Sequence, residues 1–90
     1  MSITVYFPTS NMTYEKYDEV MRRLDAAGAG PPVGRQCHAC FGTSGQLGVV
    51  DVWESPGAFE SFGETLMPIL DEMGVEIAEP QVSETHNIIT

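Results

Sequence analysis

An imidazole at His38, a carboxylate at Asp51 and an indole at Trp53 are the groups in this chain whose types and spacing lend themselves to chemistry. Between the first two lies Thr43-Ser44-Gly45-Gln46, a short turn-forming stretch, so residues 35–42 and 49–53 must fold back on each other as an antiparallel hairpin. A two-residue Ser44-Gly45 loop and a four-residue loop give the same register: Cys40 opposite Val49, His38 opposite Asp51, Gln36 opposite Trp53. Directly opposed side chains on such a pair have Cβ atoms about 4.5–5.5 Å apart, so His38 and Asp51 can touch, with Trp53 diagonal to the ring. A carboxylate in that position holds the imidazole in one tautomer. The pair is then an oriented general base, suited to taking a proton from a phenol or an activated C–H, a contribution of about 10² to 10⁴ in rate. The same geometry equally describes a hydrogen-bonded structural pair in a small sheet. A one-residue bulge would undo the register.

Other constellations carry less. Cys37-His38-Ala39-Cys40 has the spacing of a redox pair, but on a strand two residues three apart face opposite ways, and no helix N-terminus lowers either thiol's pKa. Covalent haem attachment needs His after the second Cys, where this chain has Phe41, and a zinc site needs both thiols on one side. Two reduced, buried cysteines are the expectation, with no metal site. Glycine-rich phosphate loops, dinucleotide fingerprints and nucleophile elbows are lacking, so no cofactor is expected. His86 and Asn87 point to opposite faces of a last strand, so at most one can join His38. Tyr6, Tyr14 and Tyr17 are candidates for the walls of the same cleft, although aromatic stripes of this kind commonly serve as core.

Positioning these groups requires six elements. Ile3-Thr4-Val5-Tyr6-Phe7 reads as a strand ended by Pro8. Thr13 is an N-cap, and Tyr14, Tyr17, Met21 and Leu24 recur at helical spacing through about Ala27, with Gly28 as the residue beyond. On the outer side of this helix Asp18 and Arg22 are spaced to pair. The Gly30-Pro31-Pro32-Val33-Gly34 run delivers the chain to the hairpin, whose second strand stops at Ser55-Pro56, a hydroxyl cap followed by a ring preset for the first helical turn. Phe59, Phe62, Leu66, Ile69, Leu70 and Met73 then make one face of a second helix, which Pro68 should kink or split. A fourth strand is expected over 81–89. The order β-α-β-β-α-β is that of a ferredoxin-like α+β fold, a four-stranded antiparallel sheet with both helices on one face.

Ninety residues bound this to a single domain, 1–90, which buries only about 60–65 per cent of its unfolded surface. Two helices cover one face of the sheet, and a small domain with an uncovered apolar face is expected to dimerise with itself. Thirteen acidic against four basic residues give a charge of −9, which disfavours nucleic acid and anionic membranes. No apolar run approaches the roughly 20 residues that span a bilayer, and a cytoplasmic protein is expected.

Tyr17-Asp18, Gly34 with His38, Asp51-Val52-Trp53-Glu54-Ser55 leading to Phe59 and Phe62, Pro68, and His86-Asn87 together resemble the dimeric α/β-barrel superfamily. Within it, the chain is similar to the small antibiotic-biosynthesis monooxygenases. The resemblance spans nearly the whole chain. It implies two sheets packed face to face in a homodimer and, in each protomer, a pocket between sheet and helices. It further implies a cofactor-independent monooxygenase or cyclase acting on an aromatic or polyketide-like small molecule, with His38 and Asp51 as catalytic candidates. Trp53, His86, Tyr6 and Tyr17 would then contact the substrate. Two alternatives stay open: a non-catalytic module that binds a hydrophobic ligand or a partner, and a haem-degrading protein with His86 or His38 as iron ligand.

Overall fold

A computed structural model describes residues 1–89. It contains β1 (Ile3–Phe7), α1 (Tyr14–Ala26), β2 (Arg35–Phe41), β3 (Gly48–Trp53), α2 (Pro56–Glu72) and β4 (Gln81–Glu84). The strands form one antiparallel sheet in the order β2-β3-β1-β4. Residues alternate along β1 between buried and half-buried, which fixes its faces: Ile3, Val5 and Phe7 pack with Val20 and Leu24 of α1 and Phe62 and Leu70 of α2, while Thr4 and Tyr6 face away. The fold is the ferredoxin-like α+β arrangement.

Local sequence explains the helix ends. Thr13 Oγ1 accepts the Lys16 N–H at 3.1 Å to start α1, and Gly28, at φ +78°, follows its end. Ser55 Oγ accepts the Ala58 N–H at 3.2 Å, with Pro56 as the first residue of α2. The tip of the β2–β3 hairpin docks on the segment before α1: Met12 C=O accepts the N–H groups of Gly45 at 2.8 Å and Leu47 at 3.2 Å, and Ser44 Oγ accepts the Tyr14 N–H at 3.1 Å. These bonds hold the first turns of α1 over β2.

Four expectations need correction. α2 is not split at Pro68 but continues to Glu72; the proline is exposed, so the Glu64 carbonyl that loses its N–H partner is on the solvent side of the helix. β4 stops at Glu84, leaving His86 and Asn87 beyond the sheet and exposed. Asp18 does not pair with Arg22; Arg22 and Arg23 both turn to Glu19, at 2.5 and 2.8 Å, and hold its carboxyl down to about 2. Finally, β2 carries an extra residue between Arg35 and Cys37, so Arg35 rather than Gln36 lies opposite Trp53. The bulge falls beyond the His38–Asp51 pair and leaves that register intact.

Candidate active site

The pairing of β3 with both neighbours decides what can meet. Asp51 lies between Val5 of β1 and His38 of β2, and because Val5 faces the helices, so do Asp51 and His38. Asp51 is only 2% exposed, and a carboxylate so placed must be paired. Its Oδ1 is 2.5 Å from His38 Nδ1. A ring whose Nδ1–H is donated to the carboxylate has Nε2 as its other hydrogen-bonding atom. That nitrogen is already engaged: Tyr17 Oη, from α1, lies 2.6 Å from it, the two rings nearly parallel at 11°. Asp51, His38 and Tyr17 thus form one continuous chain of hydrogen bonds from sheet to helix.

The three side chains line a cavity of about 40 Å³ between sheet and helices, together with Arg35 and an apolar wall that includes Phe7, Met12, Met21 and Leu66. Burial pushes the Tyr17 phenol above its ordinary pKa of 10.0, helped by Cys40, Asp51 and Asp18 and opposed by Arg35, so at neutral pH it is a proton donor. Arg35 is half-buried, with its guanidinium 5.9 Å from the centre of the Phe62 ring. Among the described residues it makes no ion pair and no side-chain hydrogen bond. Charge pattern alone did not single it out; the bulge in β2 turns it to the helix side.

The remaining candidates lie elsewhere. Trp53 shares the helix-side face but does not line the cavity, being fully buried against Phe59 and Phe62 at ring separations of 6.0 and 5.1 Å. Its Nε1–H meets no acceptor among the described residues. Tyr6 alternates with Val5 and so lies on the opposite face of the sheet, stacked on Phe41 at 5.8 Å. His86, past the end of β4, is exposed and lines no part of the cavity. Tyr14 is more than half exposed. Cys37 is opposite Val52 on the outer face, whereas Cys40 is opposite Val49 on the inner one, where burial and Asp18 push its thiol pKa up. No three His, Cys, Asp or Glu side chains among the described residues are grouped to hold a metal ion. Nor do the histidines suit haem: both ring nitrogens of His38 are taken, and His86 is outside the cavity.

No protein-family model matches the chain, and no curated protein matches it in sequence. Solved structures do match in fold. A variant of SnoaB, a cofactor-independent oxygenase from Streptomyces nogalater, superposes with a TM-score of 0.70 at 14% identity, over 98% of this chain and 96% of that one. Rv0793 from Mycobacterium tuberculosis gives 0.69 at 12% identity over the full length of both chains. A conserved protein from Methanosarcina mazei gives 0.58 at 15% identity, over 92% of this chain and 89% of that one. At such identities the shared property is the fold.

Proposed function

We propose that this chain is a small cofactor-independent enzyme of monooxygenase or cyclase type, acting on an aromatic or polyketide-like small molecule by first removing a proton, with His38 as the base. The observation that carries this reading is the 2.5 Å His38–Asp51 bond inside a cavity on the helix side of the sheet. Asp51 fixes the tautomer and stabilises the imidazolium that forms when Nε2 gains a proton. Removing a proton from a CH₂ conjugated through an aromatic ring to a carbonyl leaves a carbanion whose charge passes to the carbonyl oxygen as an enolate. In a monooxygenase this anion supplies electrons to O₂; the CH₂ becomes a carbonyl, one oxygen atom entering the product and the other leaving as water. In a cyclase the same anion closes on a carbonyl within the molecule. The likeness in fold to a cofactor-independent oxygenase agrees with the first variant.

Oxygen uptake with a phenolic anthrone tests the oxygenase variant, because one equivalent of O₂ should be consumed per quinone formed without added metal, flavin or nicotinamide. Replacing His38 by Gln should lower turnover by about 10² or more. Turnover indistinguishable from the uncatalysed rate, or unchanged in H38Q, would reject His38 as base.

One observation favours a second reading, a non-catalytic module. A cavity of about 40 Å³ has room for only a few waters, far below the roughly 300 Å³ or more of a typical ligand pocket. A ring can enter only if flexible lining such as Met12 and Met21 yields. Ligand binding with no turnover would support this reading.

The partner in either case is a second copy. The sheet face turned away from the helices presents Tyr6, Ala39, Phe41 and Val50, with Phe41 48% exposed, and a second sheet of the same chain would cover them.

A further inference from the structure

The cavity between sheet and helices has a wall whose surface is apolar almost throughout. Val20 and Leu24 of α1, Val49 of β3, and Leu66 and Leu70 of α2 are among the residues that form it. His38 borders the same space, but its two ring nitrogens are engaged with Asp51 and Tyr17. A water held inside a protein needs about two to four polar partners, and this wall provides hardly any. A space of about 40 Å³ so lined therefore favours a small apolar molecule over the few waters that would fit by size alone. Size selects further. An aromatic ring enters only if flexible side chains yield, whereas a diatomic gas fits with the wall as it stands.

Of the two reactants in the oxygenase variant, dioxygen alone is both apolar and small enough. Resting on that variant of the proposed function, we propose that the cavity is a standing site for O₂, filled whether or not the aromatic substrate is bound. Binding is by dispersion and exclusion from water, with no bond made or broken. Because His38 borders the cavity, the gas is held beside the base that generates the carbanion. The site thus supplies the second substrate where the first becomes reactive.

The alternative is a packing defect. Filling a defect stabilises a protein at no cost to activity, whereas filling a site removes something the reaction uses. Dissolved O₂ separates the two, because it is paramagnetic and speeds the relaxation of the methyl protons it touches. In the full chain under O₂ pressure, without aromatic substrate, the methyls of Val20, Leu24 and Leu70 should be affected at least about twofold more strongly than those of Val5, Leu47 and Val75, which are also buried but do not border the cavity. Combining Val20→Ile with Val49→Ile adds a methylene from the helix side and another from the sheet side. That variant should lose the difference and raise the KM for O₂ about threefold or more in oxidation of a phenolic anthrone. Its exchange of the anthrone CH₂ protons with D₂O in the absence of O₂ should proceed at the parent rate, since the base is untouched. A melt establishes that the variant is folded, and the parent measurement needs no variant.

Equal relaxation of the two groups of methyls in the parent chain would overturn the site outright. Localised relaxation together with an unchanged KM for O₂ in the filled variant would make the cavity a defect that gas merely enters, which overturns its role in the reaction. Absence of both anthrone turnover and CH₂ exchange in the parent chain would reject the proposed function, and with it O₂ as a substrate; the relaxation data would still report whether the cavity takes the gas.

Discussion

Asp51 is a carboxylate almost without solvent, and His38 is the group that makes its charge tolerable. Removing one partner of such a pair leaves the other unsatisfied, at about 3 kcal/mol or more. His38→Ala should therefore lower stability as well as activity, and Asp51→Asn made in the same chain should recover part of the loss. A double-mutant cycle by urea denaturation checks this, and strictly additive costs would show that the two groups are not coupled. On turnover, Asp51→Asn should cost less than removal of the imidazole, because it disturbs the tautomer without removing the base. Tyr17 makes a pH prediction. Its folded pKa is raised above 10.0, so its contribution to stability is complete below pH 10.0 and is lost as pH rises through the folded value. The ultraviolet titration step missing from Tyr17→Phe, found by difference against the parent, should therefore lie above pH 10.0; a step at or below that value would contradict burial as the dominant cause.

At the scale of elements, the beginning of β2 decides whether Arg35 reaches the cavity. Gly34 sits at φ +88°, and a Cβ there would come within 2.7 Å of the Ala58 Cβ on α2. Its carbonyl accepts the Glu54 N–H at 2.8 Å, which ties the bulged end of β2 to the strand-to-helix turn. Gly34→Ala should therefore destabilise by about 1–3 kcal/mol through strain and crowding together, read as a lower Tm. An equally stable Gly34→Ala would mean that this close approach is not maintained in solution. Pro68 offers the opposite case. In the interior of α2 it withholds an N–H that Ala would supply, so Pro68→Ala should raise stability by about 1–3 kcal/mol, read as a higher Tm.

For the molecule as a whole, the helices cover one face of the sheet and leave the other without a covering layer among the described residues. Tyr6 and Phe41 stack there over Gly48, where a Cβ would come within 3.0 Å of the Phe41 ring and 3.1 Å of Tyr6. This places two stacked aromatic rings on the outer face, an apolar surface that a second sheet can pack against. Sedimentation should find a dimer at micromolar concentration. Phe41→Glu should shift it to monomer, because two charged groups would then be buried against each other across the symmetric contact. A folded monomer in the parent chain would show that this face is solvent-exposed in solution. Among the described residues no helix is long and apolar enough to cross a membrane.

Period and punctuation in the chain were enough to place most elements. Alternation over 3–7, helical spacing behind Thr13 and Ser55, and the short 43–46 turn are local signals, and local signals survive without knowledge of the fold. The opposition of His38 and Asp51 was legible for the same reason, since a hairpin's register follows from its turn. Trp53, Tyr6 and His86 were harder to place. Which face of a strand meets the helices, and which aromatic side chains there are walled off by others, depends on packing between segments distant in sequence. The Phe59 and Phe62 rings remove Trp53 from the cavity, and the partners of β1 turn Tyr6 outward. Arg35 depended on a single extra residue in β2, invisible to periodicity because a bulge changes pairing without changing composition. The Tyr17–His38 bond likewise joins a helix to a strand across 21 positions, and only the docking of the hairpin tip on the start of α1 brings those two atoms together.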